Sequence, residues 1–115
     1  MRRGEIRLVD LDPVRGAEAN KQRPAVIVSN DGANSVAERL GRGVVTVVPV
    51  TSNTDRVYPF QVLLPAQDTG LAIDSKAQAE QIRSVATERI GPRIGLMTVE
   101  LLANLDEALR LHLAL

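Results

Sequence analysis

Two runs of β-branched residues constrain the fold of this chain more than any other feature of the sequence. Residues 44–50 read VVTVVPV, and residues 24–30 read PAVIVSN. Branched side chains pack well on a pleated sheet and lose rotamer freedom in a helix, so both runs predict strands. The continuous apolar character of 24–30 predicts a central strand. Proline has no N–H to give to a ladder, so Pro49 predicts that the other strand ends at an edge or a bulge.

Further strands are predicted around these two. Residues 5–11 read EIRLVDL and largely alternate between apolar and polar side chains, as a half-buried strand does. Glycine, proline and asparagine then mark the breaks between elements. A loop is predicted at 12–22, one or two helical turns around 34–40, and strands within 58–65 and 70–85.

Residues 98–115 predict a C-terminal helix. Thr98 suits the N-cap, and Glu100 favours the first turn. Apolar residues recur at helical spacing, and this face is expected to pack in the core or against a second subunit. His112, at the border of that face, is predicted to be a packing residue. Short strands followed by one helix predict a single domain over 1–115, a small, strongly bent antiparallel barrel with the helix packed on it.

Composition excludes several classes of site. The chain has no cysteine and one histidine, which rules out disulfides, thiolate zinc sites, cysteine nucleophiles and a histidine pair within one chain. The 14 Lys and Arg balance 14 Asp and Glu, unlike the basic charge of a non-specific duplex binder. No run of about 18 apolar residues is present, and acidic residues interrupt the N-terminus where a signal peptide would be apolar. We therefore expect a cytoplasmic protein without a membrane span.

Arg23 stands directly before Pro24 and the apolar strand. The proline disfavours helical angles at Arg23, which predicts an extended arginine at the mouth of the strand. A guanidinium matches two phosphate oxygens at once and neutralises charge that develops on them. An arginine in this setting is more often a solvated strand cap, so the feature indicates a function only in combination with others.

Two other polar groups complete that combination around a phosphodiester. Thr51, Ser52 and Asn53 follow the second β-branched run, and polar side chains recur along 76–83. Hydroxyls and amides after a strand usually form turns. A Thr51 hydroxyl also suits donation to the phosphate that Arg23 meets, and the amides and charges of 76–83 suit the base edges of single-stranded RNA.

Five segments, in this order, carry a resemblance to a known family: RRGEIRLVDLDPVRGAEANKQRPAVIVSN, VVTVVPVTSN, YPFQVLL, AEQIRSV and LDEALRLHL. Together they resemble the MazF/PemK family, the toxin half of bacterial toxin–antitoxin pairs. The resemblance implies a mainly β fold with a C-terminal helix, a small SH3-like (PemK/CcdB-like) antiparallel β-barrel that forms a homodimer. It also implies an endoribonuclease without metal or other cofactor, which cuts single-stranded RNA such as mRNA at short sequences. The expected products carry a 2′,3′-cyclic phosphate and a 5′-hydroxyl.

The resemblance extends to individual residues. Arg23 matches the family's catalytic arginine, Thr51 its catalytic threonine, and Glu18 the acidic residue in the loop before that arginine. Some relatives have a histidine where this chain has Gln22. Which group takes the proton of the 2′-hydroxyl stays open, because a guanidinium that is always protonated is a poor general base. The residues predicted to bind RNA are Lys21, Gln22, Ser52, Asn53, Tyr58, Glu80, Gln81 and Arg83.

The expected partner besides RNA is a cognate antitoxin whose disordered segment folds over the RNA groove. Two alternatives stay open, because a fold does not determine a function. One is a toxin of the same fold that poisons a topoisomerase, gyrase, and has no need of the Arg23 and Thr51 pair. The other is a purely structural dimer whose C-terminal helix is its functional surface.

Overall fold

The structure of the protein is a computed structural model that describes residues 1–11 and 22–115. In this part of the chain, strands make up one sheet and the longest helix is C-terminal. The strands are β1 (Glu5–Asp10), β2 (Gln22–Ile27), β3 (Val44–Thr51), β4 (Gln61–Leu64), β5 (Ser75–Gln78), β6 (Arg83–Ala86) and β7 (Ile90–Leu96). The helices are α1 (Asp31–Leu40), α2 (Ala66–Thr69) and α3 (Val99–Leu113), with 3-10 turns at Ala79–Gln81 and Thr87–Arg89.

The sheet is antiparallel in every described pair, in the order β4-β5-β3-β2-β1-β7, with β6 also paired to β3. One edge of β3 therefore serves two partners: Val44–Val47 pair with β6, and Val50 and Thr51 pair with β5. Among the described residues β4 and β7 do not pair with each other, so the sheet is not closed. The predicted mainly β fold with a C-terminal helix is confirmed, and SH3-like barrel is an approximate description of it.

Two hydrophobic clusters share β3. Val45 and Val47 belong to one, and Val48 and Val50 belong to the other, because successive side chains of a strand point to opposite faces. Helix α3 packs into the second cluster, chiefly through Leu105, which is fully buried. Strand β3 therefore contributes side chains to both clusters, and its last two residues pair with β5 rather than with β6.

Helix α3 begins as predicted. The side chain of Thr98 accepts a hydrogen bond from the backbone N–H of Leu101 at 3.1 Å, and Glu100 lies in the first turn. No residue of the helix beyond Leu109 is buried, so the helix leaves the core there. His112 is exposed, and the prediction that it packs in this chain is wrong.

Three other elements differ from prediction, each for a local reason. Helix α1 begins at Asp31 rather than near residue 34, because Asn30 caps it by accepting a hydrogen bond from the N–H of Ala33 at 2.8 Å. Strand β3 continues through Pro49. This residue lies in the two-residue gap between the stretch that pairs with β6 and the stretch that pairs with β5, so no ladder hydrogen bond on that edge requires an N–H from it. The predicted strand at 70–85 is divided into β5 and β6 by the 3-10 turn.

Strand β7 had no counterpart in the sequence analysis. It contains Gly91, Pro92 and Gly95, residues that normally interrupt strands. Among the described strands it pairs with β1 alone, and its register shifts on both sides of the pair Arg7–Arg93. An edge strand with a bulge tolerates proline, which explains why the segment is extended. Among the described helices, none has the length and hydropathy that crossing a bilayer requires.

Candidate active site

The register of β2 on β3 brings Arg23 and Thr51 together. The observed pairs are Ala25–Pro49, Val26–Val48 and Ile27–Val47. Continuing this register by two residues places Arg23 opposite Thr51. Residues opposite each other in an antiparallel pair share a face of the sheet, with Cβ atoms about 4.5–5.5 Å apart. The two residues singled out in the sequence are therefore neighbours across the strands.

The cross-strand row continues to Lys76. Thr51 pairs with Lys76 of β5 on its other side. Arg23, Thr51 and Lys76 thus lie side by side on β2, β3 and β5. Lys76 was not among the predicted site residues, because its place in the row depends on pairing between segments far apart in sequence.

A cavity of about 340 Å³ opens beside Arg23 and Thr51. Among the described residues that line it, Arg23 is the charged one and the walls are largely apolar. Arg23 is exposed, so an anionic group can approach its side chain from solvent. The arrangement suits an anionic group held against the guanidinium. The lining residues are Arg23, Pro24, Val50, Thr51, Ser52, Leu71, Ala72, Ile73, Ser75 and Ile94.

The half-buried Thr51 is oriented by the turn that follows it. Its Oγ1 accepts a hydrogen bond from the backbone N–H of Asn53 at 3.3 Å, which leaves the hydroxyl proton for donation elsewhere. Asn53 in turn accepts from the N–H of Asp55 at 3.2 Å. Asn53 therefore forms the turn, as polar residues after a strand commonly do.

Tyr58 lies within reach of the Lys76 side chain. The residue is 43% exposed, and its ring stacks on Phe60, with 5.4 Å between ring centroids and 5° between planes. The Nζ of Lys76 lies 6.0 Å from the Tyr58 centroid and donates to the carbonyl oxygen of Arg56 at 2.5 Å. Two aromatic rings thus lie near the Thr51 end of β3.

The remaining predicted RNA-binding residues have separate surroundings. Glu80 accepts a hydrogen bond from Gln61 at 2.6 Å through Oε2, and its Oε1 is buried without a partner in the described part of the chain. Arg83 donates to the carbonyl oxygen of Leu11 at 2.9 Å. It pairs with Val47, four residues from Thr51, which is a separation of about 13 Å along a strand.

Two further predicted residues lie outside the cavity lining. The side-chain nitrogen of Gln22 lies close to Gly91 of β7, 3.4 Å from the point where a Cβ on that glycine would stand. Gln81 is exposed in the 3-10 turn. Glu18 and Lys21 fall outside the described residues. The structure therefore brings Arg23, Thr51 and Ser52 together, with Tyr58 reached through Lys76.

The family was tested by comparison with known proteins. Residues 2–113 match the model of the PemK-like, MazF-like toxin of type II toxin-antitoxin system. The chain belongs to this family. The resemblance inferred from the sequence is thereby confirmed.

Relatives of the chain include named endoribonucleases. It is 70% identical over 115 residues to endoribonuclease MazF9 of Mycobacterium tuberculosis, covering 100% of this chain and 98% of that protein. It is 30% identical over 116 residues to endoribonuclease EndoA of Bacillus subtilis, covering 100% and 96%. A crystal structure of MazE-MazF from Deinococcus radiodurans superimposes with a TM-score of 0.80 at 26% identity, covering 100% of this chain and 96% of that one. None of these findings supports the gyrase alternative.

The cavity walls were missed by sequence reasoning. Leu71, Ala72 and Ile73 come from the coil before β5, and Ile94 comes from β7. No pattern in the sequence marks these apolar residues as part of a site. Within the described ranges, no group of three or more His, Cys, Asp or Glu side chains is placed to hold a metal ion.

Proposed function

We propose that this chain is an endoribonuclease toxin that cuts single-stranded RNA, mRNA in particular, at the cavity of Arg23 and Thr51. The observation that carries the proposal is that Arg23 and Thr51 line one cavity, and the β2–β3 register, continued by two residues, supports it. The named activity of MazF9 and EndoA supports the same reaction class. Cleavage at short sequences is part of the proposal, and we place the protein in the cytoplasm with its substrate.

The proposed chemistry is internal transfer of a phosphodiester. The 2′-oxygen attacks the adjacent phosphorus, and the bond from phosphorus to the 5′-oxygen breaks. The 2′-hydroxyl loses its proton and the leaving oxygen gains one, so the products are a 2′,3′-cyclic phosphate and a 5′-hydroxyl. Arg23 binds the non-bridging oxygens through its planar fork, and Thr51 donates its hydroxyl proton to the same group. Both donors are aimed where negative charge grows in the transition state.

The other predicted residues complete the proposal. Glu18 is proposed to orient Arg23, and Lys21 and Gln22 to contact RNA, with Gln22 at the first position of β2. Ser52 lines the cavity, and the exposed ring of Tyr58 offers a face on which a base can stack. Asn53, Glu80, Gln81 and Arg83 complete the proposed set of RNA-binding residues from positions outside the cavity lining.

Two protein partners belong to the proposal. A solved relative from Deinococcus radiodurans is a MazE-MazF complex, which supports a cognate antitoxin here. A homodimer would cover large apolar side chains exposed near the end of α3, where Leu111 is 58% and Leu113 is 46% exposed. We propose that residues 1–115 act as one domain in that dimer, consistent with the match over 2–113.

Cleavage in excess EDTA tests the proposal. Wild-type protein and Arg23→Ala are incubated with a long mixed-sequence RNA, and the fragment ends are mapped. We expect discrete cuts with cyclic-phosphate ends from the wild type and a loss of about 10²–10³-fold or more in Arg23→Ala. Arg42→Ala is the matched control, since Arg42 is exposed in the turn between α1 and β3, at the opposite end of β3 from Thr51. Full cleavage by a folded Arg23→Ala protein would contradict the assignment.

A further inference from the structure

The segment Ser52–Phe60 connects β3 to β4, and none of its residues is buried. An exposed segment without an apolar anchor normally moves. Here two polar contacts fix its backbone near Tyr58. They come from different strands and use different chemistry.

Lys76 makes the first contact. Its side chain is mostly buried, with 8% of the residue exposed. In the described part of the chain it forms no ion pair with a carboxylate. Its ammonium instead donates to the carbonyl oxygen of Arg56 and lies 6.0 Å from the Tyr58 centroid. A buried ammonium requires such partners, so the contact is a specific one.

Gln61 makes the second contact and holds both backbone groups of Tyr58. Its N–H donates to the Tyr58 carbonyl oxygen at 2.8 Å, and its Oε1 accepts from the Tyr58 N–H at 3.2 Å. The Nε2 of Gln61 donates to Glu80 at 2.6 Å, which fixes the orientation of the amide. Glu80 thus acts on Tyr58 through Gln61.

The two contacts determine where the aromatic pair lies. We propose that Lys76 and the Gln61–Glu80 pair are positioning residues that hold the Tyr58–Phe60 ring pair as a stacking platform for an unpaired RNA base beside the Arg23 and Thr51 cavity. This inference rests on the proposed function. A platform fixed before binding loses little conformational entropy when a base stacks on it, and stacking accepts any base.

The free protein provides the first test. Tyr58 is the one tyrosine of the chain and tryptophan is absent, so tyrosine fluorescence reports on this ring alone. We expect acrylamide to quench Lys76→Met and Gln61→Met more strongly than wild type, because the released ring becomes more accessible. Arg42→Met, which removes an exposed cation elsewhere, should match wild type. Equal quenching in all four proteins would overturn the proposal.

Hydrogen exchange in the wild type decides the matter if either variant fails to fold. The backbone N–H of Tyr58 is expected to exchange slowly, because it donates a hydrogen bond to Oε1 of Gln61. Exchange at the rate of an open loop would show that the contact does not hold the segment.

Kinetics on a cleavable RNA provide the second test. Tyr58→Leu should raise KM by about tenfold, with kcat little changed. Lys76→Met should also raise KM, and the double variant should match Tyr58→Leu alone, because Lys76 acts through Tyr58. Additive effects would mean that Lys76 contacts RNA directly and would overturn its role as a positioning residue. If the wild type cuts no RNA, the proposed function fails, while the fluorescence test still decides whether the segment is held.

Discussion

The hydroxyl of Thr51 can both accept and donate a hydrogen bond. Its oxygen accepts from the N–H of Asn53 and so orients the side chain, while its proton stays available for donation to another acceptor. Serine at this position keeps the hydroxyl, whereas valine keeps the shape of the side chain but has no hydroxyl. Substitutions of Thr51 can therefore distinguish the contribution of its hydroxyl to cleavage from the contribution of its side chain to packing.

Replacing Thr51 tests that separation. Thr51→Val should lower kcat by about 10²–10³-fold, since one donor to the transition-state charge is lost. The free energy of unfolding should fall by only about 1 kcal/mol, the typical worth of one hydrogen bond. Thr51→Ser should keep most of the activity. Steady-state cleavage kinetics and urea unfolding measure the two effects, and a valine variant with near-normal kcat would remove Thr51 from the chemistry.

At this scale the sequence predicted which residues to examine but not how they meet. Arg23 and Thr51 stood out because each adjoins a β-branched run, with a proline beside the first. Their place at one cavity depends on a strand register that long-range packing determines. Lys76 lies in the 76–83 segment that the sequence singled out, but its place beside Thr51 was not predicted, since that pairing joins residues far apart in the chain.

Among the elements, β7 is extended although its glycines and proline favour turns, and it packs closely on β1. A Cβ on Gly91 would lie 2.8 Å from the carbonyl oxygen of Leu8, a backbone atom of the neighbouring strand. Glycine is therefore required by the approach of β1. The same approach brings β7, and with it Ile94, against the cavity.

Gly91→Ala should lower the free energy of unfolding by about 1–3 kcal/mol, because a rigid backbone atom must move to admit the methyl group. Gly32→Ala is the matched control. Its Cβ would meet only the side-chain oxygen of Asn30 at 3.3 Å, and alanine favours the helix. Urea unfolding compares the two variants, and equal stability for both would show that β1 and β7 are not closely packed.

Element types were predicted best where local chemistry decides them. The β-branched run of β3 and the Thr98 cap of α3 were both read correctly. Strand β7 was missed because its glycines and proline indicate turns, and only its edge position and bulge make them acceptable. The start of α1 was missed by three residues because the capping role of Asn30 was not considered.

For the whole molecule, the exposed apolar residues at the end of α3 lead us to expect that two copies of the chain associate. Beyond Leu109 the helix has no buried residue, yet leucine recurs up to residue 115. Such a surface on a chain with balanced charge favours association with another copy.

We therefore expect a mass of about twice 12.4 kDa in light scattering after size exclusion. Leu111→Ser with Leu113→Ser should shift the protein toward the single-chain mass, and Val36→Ser, which removes an exposed valine of α1, should not. The thermal midpoint of the wild type should also rise with concentration. A wild-type mass of one chain at micromolar concentration would contradict the homodimer.

Strand β3 also affects how such a chain can diverge. Each of the four buried valines of β3 belongs to a cluster on one face or the other, so the strand that carries Thr51 has little freedom to vary at these positions. The segment that follows it contributes to neither cluster and can accept new side chains at small cost. The exposed segment can therefore change in sequence while the strand that carries Thr51 is preserved.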